Sequence, residues 1–401
     1  MTSGPSRTRD LPLAGVRVLA IEQAVAAPLC TRHLADLGAE VIKVERPGEG
    51  DFARGYDSHV NGVSSWFVWL NGGKRSIAID LKQQRGVEVV QRLAARADVV
   101  VQNFGPGAME RLGLSVDQLR AAHPRLVACV ISGYGDGGPY ETRKAYDALV
   151  QGEAGVIAVT GTPEQRAKTG ISAVDIAAGM YAFSSILAAL YARERTGAGA
   201  TIRTALFDSI LEWMSPAVLG AVAGHPPPRA GDRHASIVPY GPYRCGGGAR
   251  VMLAVQNERE WRRLCDGVLR RPELADDPRF IRNELRARNR TTLEPLIEEL
   301  LADVSLAESE ARLEEAGIAY GRANEPAALF SHPQVAARDR LASVATPGGE
   351  ATVFRPPFNV DGWKAGGGAV PAIGEHTDGI LAEAGYDADA VRALRADAVV
   401  A

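Results

Sequence analysis

Short apolar runs alternate with segments of helical spacing along the first half of the chain. VRVLAIEQ is an apolar run, CTRHLADLG after it has helical spacing, and EVIKVE is a second apolar run. The order continues with SIAIDL, a helix predicted over 84–96, DVVVQNF, a helix around 116–122 and RLVACVISGYG. Strands separated by helices pair in parallel with right-handed crossovers. The pattern therefore predicts an α/β fold with a doubly wound sheet.

The first turn of this predicted sheet lacks a glycine-rich nucleotide motif. Glu45 ends the second run, where an acid could hold a ribose, but the turn QAVAAP has none of the GxGxxG glycines. Those glycines let a pyrophosphate approach the backbone, so a dinucleotide site is not favoured. Ligands of doubly wound sheets still gather where strands end. We therefore expect binding residues directly after the predicted strands.

The pattern changes near residue 224. TIRTALFDSILEWM predicts a strand and a helix, and GHPPPRAGDRH is a linker rich in Pro and Gly. Beyond it, VMLAVQ predicts a strand, followed by helices around 258–269, 279–290 and 292–301, and later by the strand-like ATVFRPPF and a turn into a helix at IGEHTDGILAEAGY. We predict a large domain over 1–224, a small central domain over 225–335, and a segment over 336–401 that returns to the first domain.

Composition narrows the class of protein. The chain has 401 residues, 46% hydrophobic and 23% charged, with a net charge of -3. This balance gives no support to nucleic-acid or anionic-membrane binding. The four cysteines have no CxxC spacing and are expected to be reduced. MTSGPSRTRD predicts a disordered start without a signal peptide, and no apolar run is expected to span a bilayer. These features favour a cytoplasmic protein.

One isolated carboxylate draws attention to the middle of the chain. Asp175 stands between the small apolar run GISAV and a helix predicted from Ile176 to about Arg195. An aspartate there is expected to cap the helix, and the helix dipole is expected to keep it ionised. A carboxylate held ionised in apolar surroundings is also a candidate nucleophile. Capping and catalysis are compatible, so both interpretations stay open.

Cationic residues recur at or near the predicted strand ends. At such places the sequence has Arg46, Lys74, Arg75, Arg111 and Lys144. A single residue of this kind is most often a solvated surface charge. Five cations at successive strand ends would converge, and together they could bind several phosphates.

Several motifs now resemble one family in the right order. They are LAGVRVLAIEQAVAAPLCTRHLADLGAEVIKVERPGEGD, NGGKRSIAIDL, VVVQNFGPGAMERLG, KAYD and GEHTDGIL. They resemble the class III CoA-transferases, the formyl-CoA and carnitine-CoA transferase group that also contains α-methylacyl-CoA racemases. Within the group, RPGEGDFARGYD, KAYDALVQ and DIAAGMYA look most like the branch of itaconate and related dicarboxylate CoA-transferases.

The resemblance implies a fold and a mechanism. It implies a large Rossmann-like domain built from both termini, a small central α+β domain and an interlocked homodimer. Asp175 matches the family's catalytic aspartate. It would carry CoA from an acyl-CoA donor, expected to be succinyl-CoA, to an acid such as itaconate through a mixed anhydride and an aspartyl-CoA thioester. The residues that match CoA-binding positions are Gln23, Ala24, Ala26, Arg46, Lys74, Asn103, Phe104, Arg111 and Lys144.

The remaining expectations concern the surroundings of the reaction. Backbone amides beside Asp175 or near Gln23 are expected to stabilise the oxyanion. CoA is a substrate, and neither a metal nor a redox cofactor is expected, because no His/Cys cluster has ligand spacing. Some family members shield the intermediate with a glycine-rich loop, and Gly246–Gly248 is the candidate here. The same three glycines are also typical of a hairpin turn.

Substrate choice leaves alternatives. A racemase on the same fold would need a histidine where this chain has Tyr146, and a phenol is poorly suited to neutral-pH proton abstraction. A non-catalytic acyl-CoA-binding protein is the other alternative. A dicarboxylate acceptor would need a cation for its distal charge. Among Arg229, Arg233, His234 and Tyr240, near the expected domain interface, we predict Arg233 and His234 for this contact, and we also assign Tyr146 to the substrate.

Overall fold

A computed structural model describes residues 11–401, so the expectation for the first ten residues lies outside it. One compact unit contains the chain up to Ala154, Gly170–Trp213 and Gln334–Ala401, and a second contains Gly155–Thr169 and Met214–Pro333. The division therefore falls after Trp213, inside a helix and before the boundary predicted near Gly224. Residues 155–169 join the second unit through backbone contacts, including the Gly231 N–H to the Gly161 carbonyl at 2.8 Å.

Eleven strands lie in the described residues. In chain order they are β1 (Arg17–Ile21), β2 (Glu40–Glu45), β3 (Lys74–Ala78), β4 (Val99–Gln102), β5 (Val127–Ser132), β6 (Thr201–Ala205), β7 (Tyr240–Arg244), β8 (Arg250–Ala254), β9 (Ala319–Gly321), β10 (Leu341–Thr346) and β11 (Gly349–Phe354).

Sixteen α-helices accompany these strands within residues 11–401. They are α1 (Ala26–Asp36), α2 (Ser65–Asn71), α3 (Gln84–Ala94), α4 (Ala108–Arg111), α5 (Val116–Ala122), α6 (Asp147–Glu153), α7 (Val156–Val159), α8 (Ala173–Thr196), α9 (Leu206–Val222), α10 (Glu258–Arg263), α11 (Asn283–Arg288), α12 (Arg290–Leu301), α13 (Leu306–Glu315), α14 (Pro333–Ala337), α15 (Thr377–Glu383) and α16 (Ala388–Ala396).

The first unit is built on a six-stranded parallel sheet in the order β3-β2-β1-β4-β5-β6. This is the Rossmann strand order, so the predicted α/β class is confirmed. The chain runs outward from β1 in one direction and from β4 in the other. The carboxyl ends of β1 and β4 therefore flank the switch point, where ligands of such sheets bind.

Helices cover both faces of this sheet. Helix α1 packs on α8 and on β1, while α8 also packs on β5 and β6. The opposite face is sealed by a core that joins Leu19 and Ile21 to Val90 of α3, Leu119 of α5 and Ile380 of α15. The last helices thus belong to the first unit, where the C-terminal segment was expected to return. Burial of alternating strand residues on both faces explains the nearly continuous apolar runs of the sequence.

The second unit has its own antiparallel sheet in the order β7-β8-β9. Its core centres on the buried aromatic side chains Tyr243, Trp261 and Phe280. Gly246–Gly248 forms a short 3-10 turn between β7 and β8, in which Gly247 and Gly248 have φ of 73° and 76°. Left-handed backbone favours glycine. The predicted hairpin turn is therefore confirmed.

Helix α8 is long and apolar enough, by length and composition alone, to cross a membrane, which the sequence analysis did not expect. More than half of its apolar window is buried inside the protein. The buried residues of α8 include small ones such as Ala177, Ala178 and Ala182. This is the behaviour of a core helix packed between α1 and the sheet.

Candidate active site

The turn after β1 is held by side chains from two neighbouring loops. The Asn103 side chain, after β4, accepts the Gln23 N–H at 3.0 Å and donates to the Gln23 carbonyl at 2.8 Å. The Asp51 carboxylate, after β2, accepts the Ala24 N–H at 3.0 Å. Three of the predicted CoA-binding residues, Gln23, Ala24 and Asn103, are thus brought together at the switch point of the sheet.

A fully paired charge network lies beneath this turn. Glu22 binds Lys74 at 2.6 Å and Lys43 at 3.3 Å, and Lys43 binds Asp51 at 2.8 Å. All four side chains are buried. Burial opposes the ionisation of Glu22, but Lys74 and Lys43 together hold its pKa below the usual value. Opposite charges at such distances keep each other ionised.

The expected phosphate contacts of Lys74 and Arg75 are not supported by this geometry. The Lys74 ammonium also donates to the Pro28 carbonyl at 3.0 Å and to Asn71 at 3.1 Å, so its three donors are occupied. Arg75 pairs with Glu383 at 2.8 Å and with Glu40. Both cations open β3 instead of following a strand, because the preceding element is helix α2. They therefore lie at the amino end of β3 and not at the carboxyl end of a strand, as predicted.

Asp175 lies in the first turn of α8 and is not its N-cap. The helix begins at Ala173, with Ser172 at the cap position, so Asp175 is the third helical residue. The capping role belongs to Asp147, the first residue of α6, whose Oδ1 accepts the N–H groups of Val174 at 2.9 Å and Asp175 at 3.4 Å. The small residues before Asp175 allow the helix to start at Ala173, three residues earlier than the predicted Ile176.

The Asp175 carboxylate has no hydrogen-bond or ion-pair partner among residues 11–401. Burial and, to a smaller extent, the nearby Asp147 carboxylate raise the pKa of its carboxyl group to about 7. The expectation that the helix dipole keeps Asp175 ionised is therefore not supported. Desolvation and a like charge outweigh the dipole. A carboxyl group poised near neutrality and free of partners is available for chemistry.

Close packing of α8 on α1 brings Asp175 to the turn after β1. Gly179, one helical turn after Asp175, approaches the Ala26 carbonyl so closely that an added Cβ would lie 2.6 Å from the oxygen. Ile176 packs in one apolar cluster with Ala24 and Val25. Residues four apart share a helix face. Asp175 is therefore next to the start of α1, where Ala26 was predicted to contribute.

An aromatic group borders the same region. The rings of Phe52, Tyr56 and Trp66 follow each other at centroid distances of 5.8 and 6.0 Å. Burial raises the pKa of Tyr56 to about 12, with smaller contributions from Asp51, Asp175 and Tyr146. Tyr56 therefore stays a neutral hydrogen-bond donor near Asp175. Tyr56 lies in the motif RPGEGDFARGYD but was not predicted as a site residue, whereas Tyr146, which was predicted, is 60% exposed.

The remaining predicted CoA-binding residues differ in their surroundings. Arg46, Arg111 and Lys144 are exposed, and Arg46 pairs with the equally exposed Glu49 at 2.6 Å. Such a pair exchanges readily for another anion. Phe104 packs on the core of the sheet and its N–H is bound by the Gln102 side chain at 2.8 Å. Three of the five predicted cations thus remain accessible.

The side chains predicted for the distal carboxylate belong to the second unit, and neither presents a free cation there. Arg233 binds Glu294 at 2.9 Å and Glu298 at 2.5 Å and stacks on Tyr243. His234 stacks on Tyr240, and its Nδ1 accepts the N–H groups of Ser236 at 3.1 Å and Ile237 at 3.0 Å. These contacts shape the loop before β7, so the prediction for Arg233 and His234 is not supported. Arg229 is likewise bound to the carbonyls of Thr162 and Pro163.

The four cysteines, Cys30, Cys129, Cys245 and Cys265, are buried and carry free thiols. No group of three His, Cys, Asp or Glu side chains that could hold a metal ion occurs in the described part of the chain.

A Rossmann-like parallel sheet with a nucleophile-type carboxylate beside its switch point defines the class of protein. The chain belongs to the class III CoA-transferases, because residues 13–377 match the model of CoA-transferase family III. It is therefore a CoA-transferase-type enzyme.

Individual relatives agree with this assignment. The chain is 35% identical to the succinyl-CoA:glutarate CoA-transferase of Mus musculus, over 97% of this chain and 90% of the relative. It is 34% identical to the succinate–glutarate CoA-transferase of Agrobacterium fabrum, over 96% and 98%. Among solved structures, a CAIB/BAIF family protein from Brucella suis is similar with a TM-score of 0.81 and 34% identity, over 94% of this chain and 100% of that one.

Proposed function

We propose that this enzyme moves CoA from succinyl-CoA to a dicarboxylic acid and that Asp175 is the nucleophile. The observation that carries the proposal is the Asp175 carboxylate, which lies unpartnered in the first turn of α8 while its neighbours Glu22, Asp51 and Asp147 are all bound. A carboxylate without hydrogen bonds keeps its nucleophilicity, whereas a paired one does not. Partial burial removes the water that would otherwise compete.

The reaction consists of four balanced acyl transfers. Asp175 attacks the thioester carbonyl of succinyl-CoA, the C–S bond breaks, and a mixed anhydride and CoA thiolate form. The thiolate attacks the aspartyl carbonyl and releases succinate, which leaves an aspartyl-CoA thioester. The acceptor carboxylate attacks this thioester and gives a second anhydride and thiolate. The thiolate then attacks the acceptor carbonyl, forms the new acyl-CoA and frees Asp175.

Oxyanion stabilisation comes from the start of α1 in this proposal. The backbone N–H groups that were expected to stabilise the oxyanion already have acceptors. Gln23 donates to Asn103 and Ala24 donates to Asp51. Val174 and Asp175 both donate to Asp147. The N–H groups of Ala26 and Ala27 have no acceptor among residues 11–401, and no side chain caps α1. Free N–H groups at a helix N-terminus favour negative charge.

The phosphates of CoA are assigned to Arg46, Arg111 and Lys144, the accessible cations of the original five. Gln23 and Asn103 at the switch point complete the binding site. The acceptor is proposed as a dicarboxylate because both relatives described above are named for glutarate. Itaconate remains one candidate within that class. We also propose a homodimer, which is supported by exposed aromatic side chains on α8 such as Tyr191. A cytoplasmic location is a separate proposal.

An acceptor screen with a covalent trap tests the proposal. Succinyl-CoA is supplied with glutarate, itaconate, butyrate or valerate, and the product thioesters are quantified by mass spectrometry. We expect both dicarboxylates to be used in preference to the monocarboxylates. Hydroxylamine added during turnover should convert the activated aspartate to a hydroxamate on the peptide that contains Asp175. Equal use of mono- and dicarboxylates would refute the acceptor class, and a modified residue other than Asp175 would refute the mechanism.

A further inference from the structure

The turn after β1 contains a backbone conformation that alanine rarely adopts. Ala24 has φ of 65°, in the left-handed region. An L-residue with a Cβ is disfavoured there, and glycine is the usual occupant. The strain is maintained because surrounding groups bind the backbone on both sides. Its location between β1 and α1, at the switch point of the sheet, suggests a use.

Asp51 is the group that holds this residue in place. Its Oδ1 accepts the Ala24 N–H at 3.0 Å and the Ala53 N–H at 2.9 Å. Its Oδ2 accepts the Lys43 ammonium at 2.8 Å, and the Asp51 side chain itself is anchored because its own N–H donates to Glu45 at 3.0 Å. Asp51 is 4% exposed and Lys43 is fully buried. Both carboxylate oxygens are therefore engaged, and the site is buried.

The restrained turn is adjacent to the reacting carboxylate. Ala24 and Val25 share an apolar cluster with Ile176, the neighbour of Asp175. The first N–H groups of α1 follow Ala24 by two residues, so a change in the Ala24 backbone redirects them. The geometry points to Asp51 as a positioning residue, which fixes the strained Ala24 turn so that the start of α1 and the Gln23 side chain are directed at the chemistry on Asp175. This inference rests on the proposed function.

A double-mutant cycle between positions 51 and 24 tests the inference. In Asp51→Asn, the amide oxygen is drawn to the buried Lys43 ammonium and its NH2 group meets the Ala24 N–H, so the restraint is lost. We expect kcat to fall at least about tenfold, as small misplacements of catalytic groups do, with a KM for succinyl-CoA that changes much less. Glycine reaches a positive φ without restraint. Ala24→Gly in the Asp51→Asn background should therefore restore kcat at least about threefold, with the single Ala24→Gly variant as the reference of the cycle.

Asp98→Asn is the matched control. The Asp98 carboxylate also binds a backbone N–H, that of Arg17 at 2.9 Å, and a buried cation, Arg193 at 3.0 Å, but it precedes β4 and lies at the opposite, amino end of the strands. It should lower the unfolding midpoint without changing kcat. If Asp51→Asn does not fold, Asp51→Glu keeps the charge beside Lys43 while moving the oxygen away from Ala24, and the same loss and rescue are expected.

Two results would overturn the inference: no rescue of kcat by glycine at position 24, or equal kcat losses for Asp51→Asn and Asp98→Asn. Asp175→Asn, assayed alongside, separates this failure from failure of the proposed function. An active Asp175→Asn enzyme would reject the nucleophile. An inactive one combined with an absent rescue would reject only the role of Asp51.

Discussion

Two carboxylates of the first unit are treated in opposite ways. Glu22, directly after β1, is buried between Lys43 and Lys74, and its pKa lies below the usual value. Asp175, in the first turn of α8, has no such partner, and burial with the neighbouring Asp147 raises its pKa to about 7. Pairing makes the first a part of the structure. Without such a pair, the Asp175 carboxylate is free to react. Glu22 therefore contributes to stability, whereas Asp175 is available for chemistry.

The largest effect is expected at Asp175. Asp175→Asn should lower the rate of CoA exchange at least about a thousandfold, because a covalent step loses its nucleophile. The fold should persist, since the substitution removes a charge that burial disfavours. Exchange of labelled succinate into succinyl-CoA, with circular dichroism of the same sample, measures both.

Glu22→Gln is the matched change at the paired carboxylate. It leaves Lys43 and Lys74 short of a counter-charge, and breaking a buried ion pair costs about 3–5 kcal/mol. Urea unfolding should therefore show a large loss of stability for Glu22→Gln and almost none for Asp175→Asn. The opposite ranking would contradict the distinction between the two carboxylates.

The pH dependence of turnover sharpens the same comparison. The nucleophile is the ionised form, so kcat/KM should rise with pH through about 7, the pKa of Asp175. Asp147→Asn removes the like charge, lowers the pKa of Asp175 and should move this limb to lower pH, while its amide oxygen can still accept the Val174 N–H. Profiles of kcat/KM against pH for the wild-type enzyme and for Asp147→Asn measure the shift. A limb that does not move would mean that another group controls it.

Stability should change with pH in the opposite sense. The folded pKa of Asp175 is raised above the unfolded value of about 3.9, so its contribution to stability is complete below that value and is lost as pH rises through about 7. Asp175→Asn should flatten the fall in unfolding free energy over this window.

The fold was accessible from sequence because the strands are buried on both faces, as in EVIKVE, which forms β2 with the predicted bounds. The site was accessible only in part. Asp175 could be proposed because it interrupts an apolar run. Its raised pKa depends on burial and on Asp147, and neither leaves a mark in local spacing. The ion pairs of Lys74 and Arg75 could not be predicted for the same reason. A cation beside a strand gives the same sequence pattern whether it meets solvent or, like Lys74, a buried glutamate.

Accessible and paired cations give the next contrast. Arg111 is exposed without an ion pair among the described residues, whereas Arg75 is bound by Glu383 and Glu40. A hydrogen bond to a charged group contributes about 1.5–3 kcal/mol. Arg111→Ala should therefore raise the KM for succinyl-CoA about tenfold or more and leave the KM of the free acid nearly unchanged. Arg75→Ala should leave both KM values unchanged, and equal increases for the two substrates in Arg111→Ala would show that the phosphates bind elsewhere.

The smallest effect on catalysis is expected at Arg233, the residue that sequence reasoning placed on the distal carboxylate of the acceptor. Its guanidinium is neutralised by Glu294 and Glu298 and stacked on Tyr243 within the second unit. Binding a substrate carboxylate would require breaking those contacts, and Glu294 and Glu298 would lose their nearest cation and keep only Arg290 at 3.9 Å and Arg244 at 3.1 Å. This is unfavourable where the glutamates are half-buried. Arg233→Ala should therefore change the preference for glutarate over valerate by less than about twofold, while lowering the unfolding midpoint.

Arg233→Lys, which keeps the charge but not the forked contact with both glutamates, should show the same unchanged preference with an intermediate midpoint. Loss of the preference in Arg233→Ala with its retention in Arg233→Lys would instead return this cation to the acceptor site.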